Sequence, residues 1–173
     1  IFKPMSLRVL FFSIICLLSF EQKIFAQIKQ DGQFKNWTAQ NTNVNGQTVC
    51  YAVSSPVASE PKSLNRAESR IFVTFRPNDK IQNEVSVTSG YNYKPSSKVS
   101  VAVDKKEFKF ETEENFAWLT KYEEEVSMIE TMKKSSQAKV MATSAKGSKT
   151  TDTFSLSGFN DAYEAAKKKC NFI

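Results

Sequence analysis

Beyond its first 26 positions the chain alternates apolar and polar residues over short stretches, the period of half-buried β-strands. Residues 34–39 and 48–53 are β-prone runs separated by an Asn-rich stretch whose Asn45-Gly46 pair is a hairpin turn signal. Residues 70–76 follow, stopped by Pro77, which cannot continue a central ladder. After a run at 84–88, Val99, Val101 and Val103 point to one face and Ser100 and Ala102 to the other. Asp104, Lys105 and Lys106 then turn the chain into residues 107–111, making a hairpin with one buried side. Residues 139–144 and 150–156 flank Lys146-Gly147-Ser148, a second hairpin signature. Eight or so short strands at this spacing predict a mainly β fold, an antiparallel, jelly-roll-like sandwich.

The period changes twice. Residues 123–134 place Val126, Ile129 and Met132, with Met128 beside them, at helical spacing, acids early and Lys133 and Lys134 late as a helix dipole prefers. Phe159, Ala162, Tyr163, Ala166 and Cys170 form a second stripe, closed by Lys167, Lys168 and Lys169. Ser157 is the expected N-cap, and Gly158 allows close approach after the last strand. Both stripes are expected in the core. No second domain boundary is visible, and residues 54–66, with Pro56 and Pro61, are expected as a polar loop.

The front of the chain follows another rule. Arg8 precedes an uncharged, mostly apolar run at residues 9–20, and Ala26 offers the small residue that a signal peptidase accepts. The run is shorter than the roughly 20 residues of a membrane span. Residues 1–26 are therefore expected to be a short N-terminal extension plus a cleaved signal peptide, and residues 27–173 a single β-sandwich domain. The expected address is periplasmic or secreted to the outer surface, with no stable membrane span after processing. Cys16 lies inside the apolar run without the small residue that precedes a lipidated cysteine, and it leaves with the leader. Cys50 and Cys170 remain, and in an oxidising compartment they have one intramolecular pairing, joining an early strand to the last turn of the final helix. The alternative is two buried free thiols.

Composition removes much chemistry. The chain has no His, which excludes a Ser-His-Asp triad, a Cys-His dyad and an imidazole metal ligand. Lys and Arg total 24 against 18 Asp and Glu, a mildly basic balance with dispersed charges and no arginine cluster, so nucleic acid is not an expected partner. No cofactor and no metal site are expected. The acidic neighbours Glu113-Glu114 and Glu123 to Glu125 invite a carboxylate dyad, but consecutive acids fit a solvated helix start or turn better, and the chain is read as a non-enzyme. Asp152, between Thr151 and Thr153, is read as a strand residue.

Several local features then combine. Trp37 is followed by Cys50-Tyr51. The strand from Arg70 leads to Arg76-Pro77, and Gly90-Tyr91 precedes the Val99 strand. Ala117-Trp118 comes after its hairpin, and the tail carries Ser144, Gly147, Thr151-Asp152-Thr153, Ser155-Leu156-Ser157-Gly158-Phe159, Ala162 and Cys170. In order and spacing this resembles the invasion-associated locus B family of exported bacterial proteins, through nearly the whole chain after residue 26. Some members carry extra cysteines near the middle hairpin; Phe110, Glu111 and Asn115 stand in that region here, so a second disulfide is absent. The resemblance implies an exported β-sandwich associated in some bacteria with host-cell invasion, and it carries over no catalytic set.

What remains for function is aromatic surface. Trp37, Trp118, Tyr91 and Tyr93 lie on or near loops; Tyr91, Tyr93 and Trp118 form the candidate interaction surface, although a core anchor is the favoured reading for Trp37 and Trp118 alike. The partner expected is an envelope or host-surface protein or a glycan.

Overall fold

The computed structural model describes residues 27–172. The expected leader, including Cys16, lies outside the described residues. Eleven strands run in chain order: β1 (Lys29–Phe34), β2 (Trp37–Val44), β3 (Gln47–Ser54), β4 (Ala58–Glu60), β5 (Arg70–Arg76), β6 (Ile81–Thr88), β7 (Lys98–Val103), β8 (Lys106–Glu113), β9 (Phe116–Trp118), β10 (Gln137–Thr143) and β11 (Lys149–Ser155). Helix α1 (Tyr122–Met132) separates β9 from β10, and α2 (Phe159–Lys169) ends the chain. The expectation of a mainly antiparallel β fold with a mid-chain and a C-terminal helix holds. Its layers belong to one continuous sheet, ordered β1-β2-β3-β5-β6-β9-β8-β7-β10-β11-β4, and that sheet is not a closed barrel.

The sheet folds over because every long strand has one apolar side. Trp37 and Ala39 on β2, Cys50 and Ala52 on β3, Ile71, Val73 and Phe75 on β5, and Val85 and Val87 on β6 share a single buried core. The same core takes Val99, Val101 and Val103 of β7, Phe108 and Phe110 of β8, and Val140 and Phe154 of β10 and β11. In register, Val99 faces Phe110 and Val101 faces Phe108, the period-two hairpin read from the sequence. Asn45 and Gly46, at φ 52° and 80°, make the turn between β2 and β3. The two ends of the sheet meet where the Trp37 Nε1–H donates to the Ser155 carbonyl at 2.9 Å.

Both helices pack against the inward faces. α2 buries Phe159, Ala162, Tyr163 and Ala166, with Phe159 4.8 Å from Trp37 and Tyr163 5.4 Å from Phe75 between ring centroids. Cys50 and Cys170 form the disulfide, their Cα atoms 5.8 Å apart and 120 positions apart in sequence. α1 buries Glu125, Met128, Ile129 and Met132 and packs on β6, β7 and β8. The outward faces of β3, β5, β6 and β9 lie opposite the helices, with most of their side chains half-buried among one another.

The structure corrects four local expectations. Residues 34–39 are not one run: they straddle a hairpin turn at Lys35-Asn36, with β1 as an edge strand. The cap of α2 is Gly158, not Ser157. Its φ is 91°, and a Cβ there would stand 1.9 Å from the Phe34 carbonyl oxygen, so this crossing needs glycine more than it needs a hydroxyl cap. In α1 the inward stripe is rotated by one position, so Glu125 is buried and Val126 only half so. Residues 54–66 are more than a polar loop. They contain β4, whose three residues pair with β11, and they end at Arg66, whose guanidinium holds the Asp152 carboxylate by two hydrogen bonds of 2.8 and 2.5 Å. That carboxylate is wholly buried.

Candidate functional site

This outward face is not flat. On β5 the residues opposite the core positions are Phe72, Thr74 and Arg76; on β3 they are Val49 and Tyr51; on β6, Glu84 and Ser86; on β9, Phe116 and Trp118. Register sets their order: Tyr51 faces Thr74, Thr74 faces Glu84, Phe72 faces Ser86, and Ser86 faces Trp118. Small hydroxyl residues thus lie between large rings. Thr74 and Ser86 form a floor, Tyr51, Phe72 and Phe116 a wall along one side, and Trp118 closes the other. The result is a shallow concavity of about 410 Å³, within the size range of small-ligand sites. The wall is continuous: Tyr51 and Phe72 meet edge to face at 5.9 Å, and Phe72 and Phe116 lie 6.3 Å apart. Phe116 is 40% exposed, the most open of the four rings.

One end of the concavity is polar. Arg76 forms an ion pair with Glu84, and its Nε reaches Asp79 at 3.5 Å. The single cation of this corner is thus shared by two carboxylates. Burial pushes the Tyr51 phenol above its ordinary range, against the opposing pull of Arg70, so its hydroxyl is present as O–H at physiological pH. Because the site is built on four hydrogen-bonded strands, its side chains are held more rigidly than loop residues would be.

Behind the same strands sits a buried acid. β9 is only three residues long and leaves the Val85 N–H of β6 without a strand partner; the Glu125 Oε1 accepts it at 3.3 Å. Burial raises the Glu125 pKa to about 7, with Glu84 adding to the rise. Among the described residues of a chain without histidine, Glu125 is thus a carboxyl that burial holds up near neutrality.

The candidate surface of Tyr91, Tyr93 and Trp118 is divided. Trp118 belongs to the concavity just described. Tyr93 is 4% exposed, its hydroxyl 3.1 Å from Ser89 Oγ, and burial pushes its phenol up. Tyr91 is half-buried, lies edge to face with Tyr93 at 5.7 Å, and lines a second concavity of about 380 Å³ beside Arg66, Asn92, Ser144 and Lys146. That second hollow has one aromatic ring, and its Arg66 is already committed to Asp152. Trp37 is wholly buried, and Asp152 is a strand residue. Glu123, Glu124 and Glu125 occupy the first turn of α1; Glu124 pairs with Lys121 at 3.3 Å. Glu113 ends β8, and the carbonyl of Glu114 accepts the Tyr93 N–H at 2.7 Å.

The sequence marks Trp118 as a candidate while favouring it as a core anchor, and Tyr51, Phe72, Phe116 and the Arg76–Glu84 pair were missed. The signal was present in the alternation itself: Ile71, Val73 and Phe75 claim the inward side of β5, which forces Phe72 outward. Only pairing shows that Tyr51, Phe72, Phe116 and Trp118 share one patch.

Among the described residues no helix is long and apolar enough to cross a membrane. Comparison with curated proteins and with solved structures finds no match. The profile of one family, Invasion associated locus B (IalB) protein, matches residues 37–167, which takes in the strands of the concavity, the Arg66–Asp152 pair and most of α2. Fold, framework and this match together place the chain in the invasion associated locus B family.

Proposed function

We propose that this chain is an exported, non-catalytic protein of the bacterial envelope that works by holding a partner in the aromatic concavity on the outward face of β3, β5, β6 and β9. The observation that carries the reading is the four-ring patch around Thr74 and Ser86, half-buried at Tyr51, Phe72 and Trp118 and exposed at Phe116, on the face opposite the one where both helices bury their apolar stripes. Rings of this size at solvent positions cost solubility, and a contact surface is the usual reason for keeping them. The leader-like front of the chain and the family's association with invasion support an address outside the cytoplasm. The leading acids of α1 serve its N-terminal dipole and its packing, which leaves a hydrolase reading without a motive.

A photo-reactive phenylalanine analogue at Phe116, in the full chain expressed in its own cells, tests this. Light is expected to join the chain to an envelope component from position 116 and not from Tyr122, a still more exposed aromatic outside the concavity. Equal yields at both positions, or none at 116, would overturn the reading. Export is checked separately by the intact mass of the chain from fractionated cells, which should begin at Gln27. A full-length chain confined to the cytoplasm would contradict it.

A further inference from the structure

We propose that the concavity binds a neutral, linear, β-linked oligosaccharide. The inference rests on the concavity being the working site and adds the chemistry of its occupant. Three observations select a sugar over a protein segment.

The first is charge. Arg76 is engaged by both Glu84 and Asp79, so the only cation of this corner is already taken by two carboxylates and an acidic ligand finds no free partner there. The pair nevertheless keeps N–H groups and carboxylate lone pairs free to meet hydroxyls. The second is backbone. β3, β5, β6 and β9 each have hydrogen-bonded neighbours on both sides, so a peptide laid on this face would find no free ladder to join, and its own amides would go unpaired. Sugar hydroxyls need only side chains, and Thr74, Ser86 and the Tyr51 phenol supply them. The third is size. Four strands at sheet spacing span roughly 14 Å, the length of about two or three sugar rings, whereas a stable protein interface buries about 800 Å² on each partner. The flat C–H faces of a pyranose match the ring wall, and a β-linked chain stays extended along it.

Trp118 is the reporter. The chain has two tryptophans, and Trp37 is wholly buried with its indole N–H bonded to Ser155, so emission changes on ligand addition come from Trp118. Titration of the purified, oxidised protein with cellotriose and chitotriose should shift that emission, with maltotriose, a bent α-linked chain, and an acidic hyaluronan oligosaccharide both weaker. By calorimetry Trp118→Ala should weaken binding about tenfold, the scale of one lost aromatic platform. Ser86→Phe fills the floor without removing any core contact and should abolish binding while Trp37 emission and the disulfide are unchanged. Absence of any saturable response to the β-linked sugars overturns the proposal, as does binding that survives Ser86→Phe or prefers the acidic oligosaccharide. A protein adduct at Phe116 with no sugar response would reject the sugar and leave the concavity as the working site; no adduct would reject the site itself.

Discussion

Single residues carry two unusual loads. Glu125 does the work of a missing strand residue, accepting the Val85 N–H where β9 stops, and does so inside the core. Its folded pKa of about 7 lies above the ordinary carboxylate value. As pH rises from about 4.5 to about 7, the unfolded chain gives up this proton while the folded chain keeps it, so stability falls through that window and the penalty is complete above it. Glu125→Gln keeps the acceptor oxygen and removes the charge. It is expected to flatten the fall, gaining about 1–3 kcal/mol at pH 8 and nothing at pH 4, measured by urea unfolding at both values. An equal change at both pH values would contradict the assignment. Gly158 is the second case. Gly158→Ala must push a Cβ against the Phe34 carbonyl at a positive φ, and a loss of at least about 1–3 kcal/mol is expected in the same assay. The close approach at Gly158 was legible in the sequence, and the inward turn of Glu125 was not, because three consecutive acids at a helix start look like a solvated end.

At the scale of elements, hairpins were the most legible part of the chain. Valine alternation against Phe108 and Phe110, and the Asn45-Gly46 turn, are local signals that pairing merely confirms. The short strands were illegible for the opposite reason: β4 and β9 have three residues each, too few for a period, and exist because β11 and β6 offer edges to them. The loop after β4 is pinned by Arg66, whose partner lies 86 positions away. Arg66→Met alone leaves the Asp152 charge buried without its partner and is expected to cost about 3–5 kcal/mol. Arg66→Met with Asp152→Leu should cost less than the single change; a larger loss from the double variant would mean the pair itself, and not the orphaned charge, dominates. The disulfide ties α2 to β3 in the same long-range way. Cys50→Ser/Cys170→Ser should lower unfolding stability by about 2–5 kcal/mol, and reduction of the native chain should add two hydrogens to its intact mass.

For the molecule as a whole, the inward face explains folding and the outward face is left to explain function. Among the described residues the core, the two helices and the disulfide account for most large apolar side chains, and Trp37 was rightly expected among them. Apart from scattered exposed residues such as Ile28, Val57 and Met141, what they leave out is one group, Tyr51, Phe72, Phe116 and Trp118, four rings contributed by strands far apart in sequence and adjacent only in the folded sheet. A one-dimensional pattern marks each as an outward residue but cannot show that β9 lies beside β6. The central claim is that this patch, with Thr74 and Ser86 as its floor, is where the protein meets its partner. The most direct measurement is the yield of the light-induced adduct from position 116 in cells whose chain also carries Ser86→Phe. The adduct should disappear while the chain remains exported and disulfide-bonded; an undiminished adduct would show that the partner sits elsewhere.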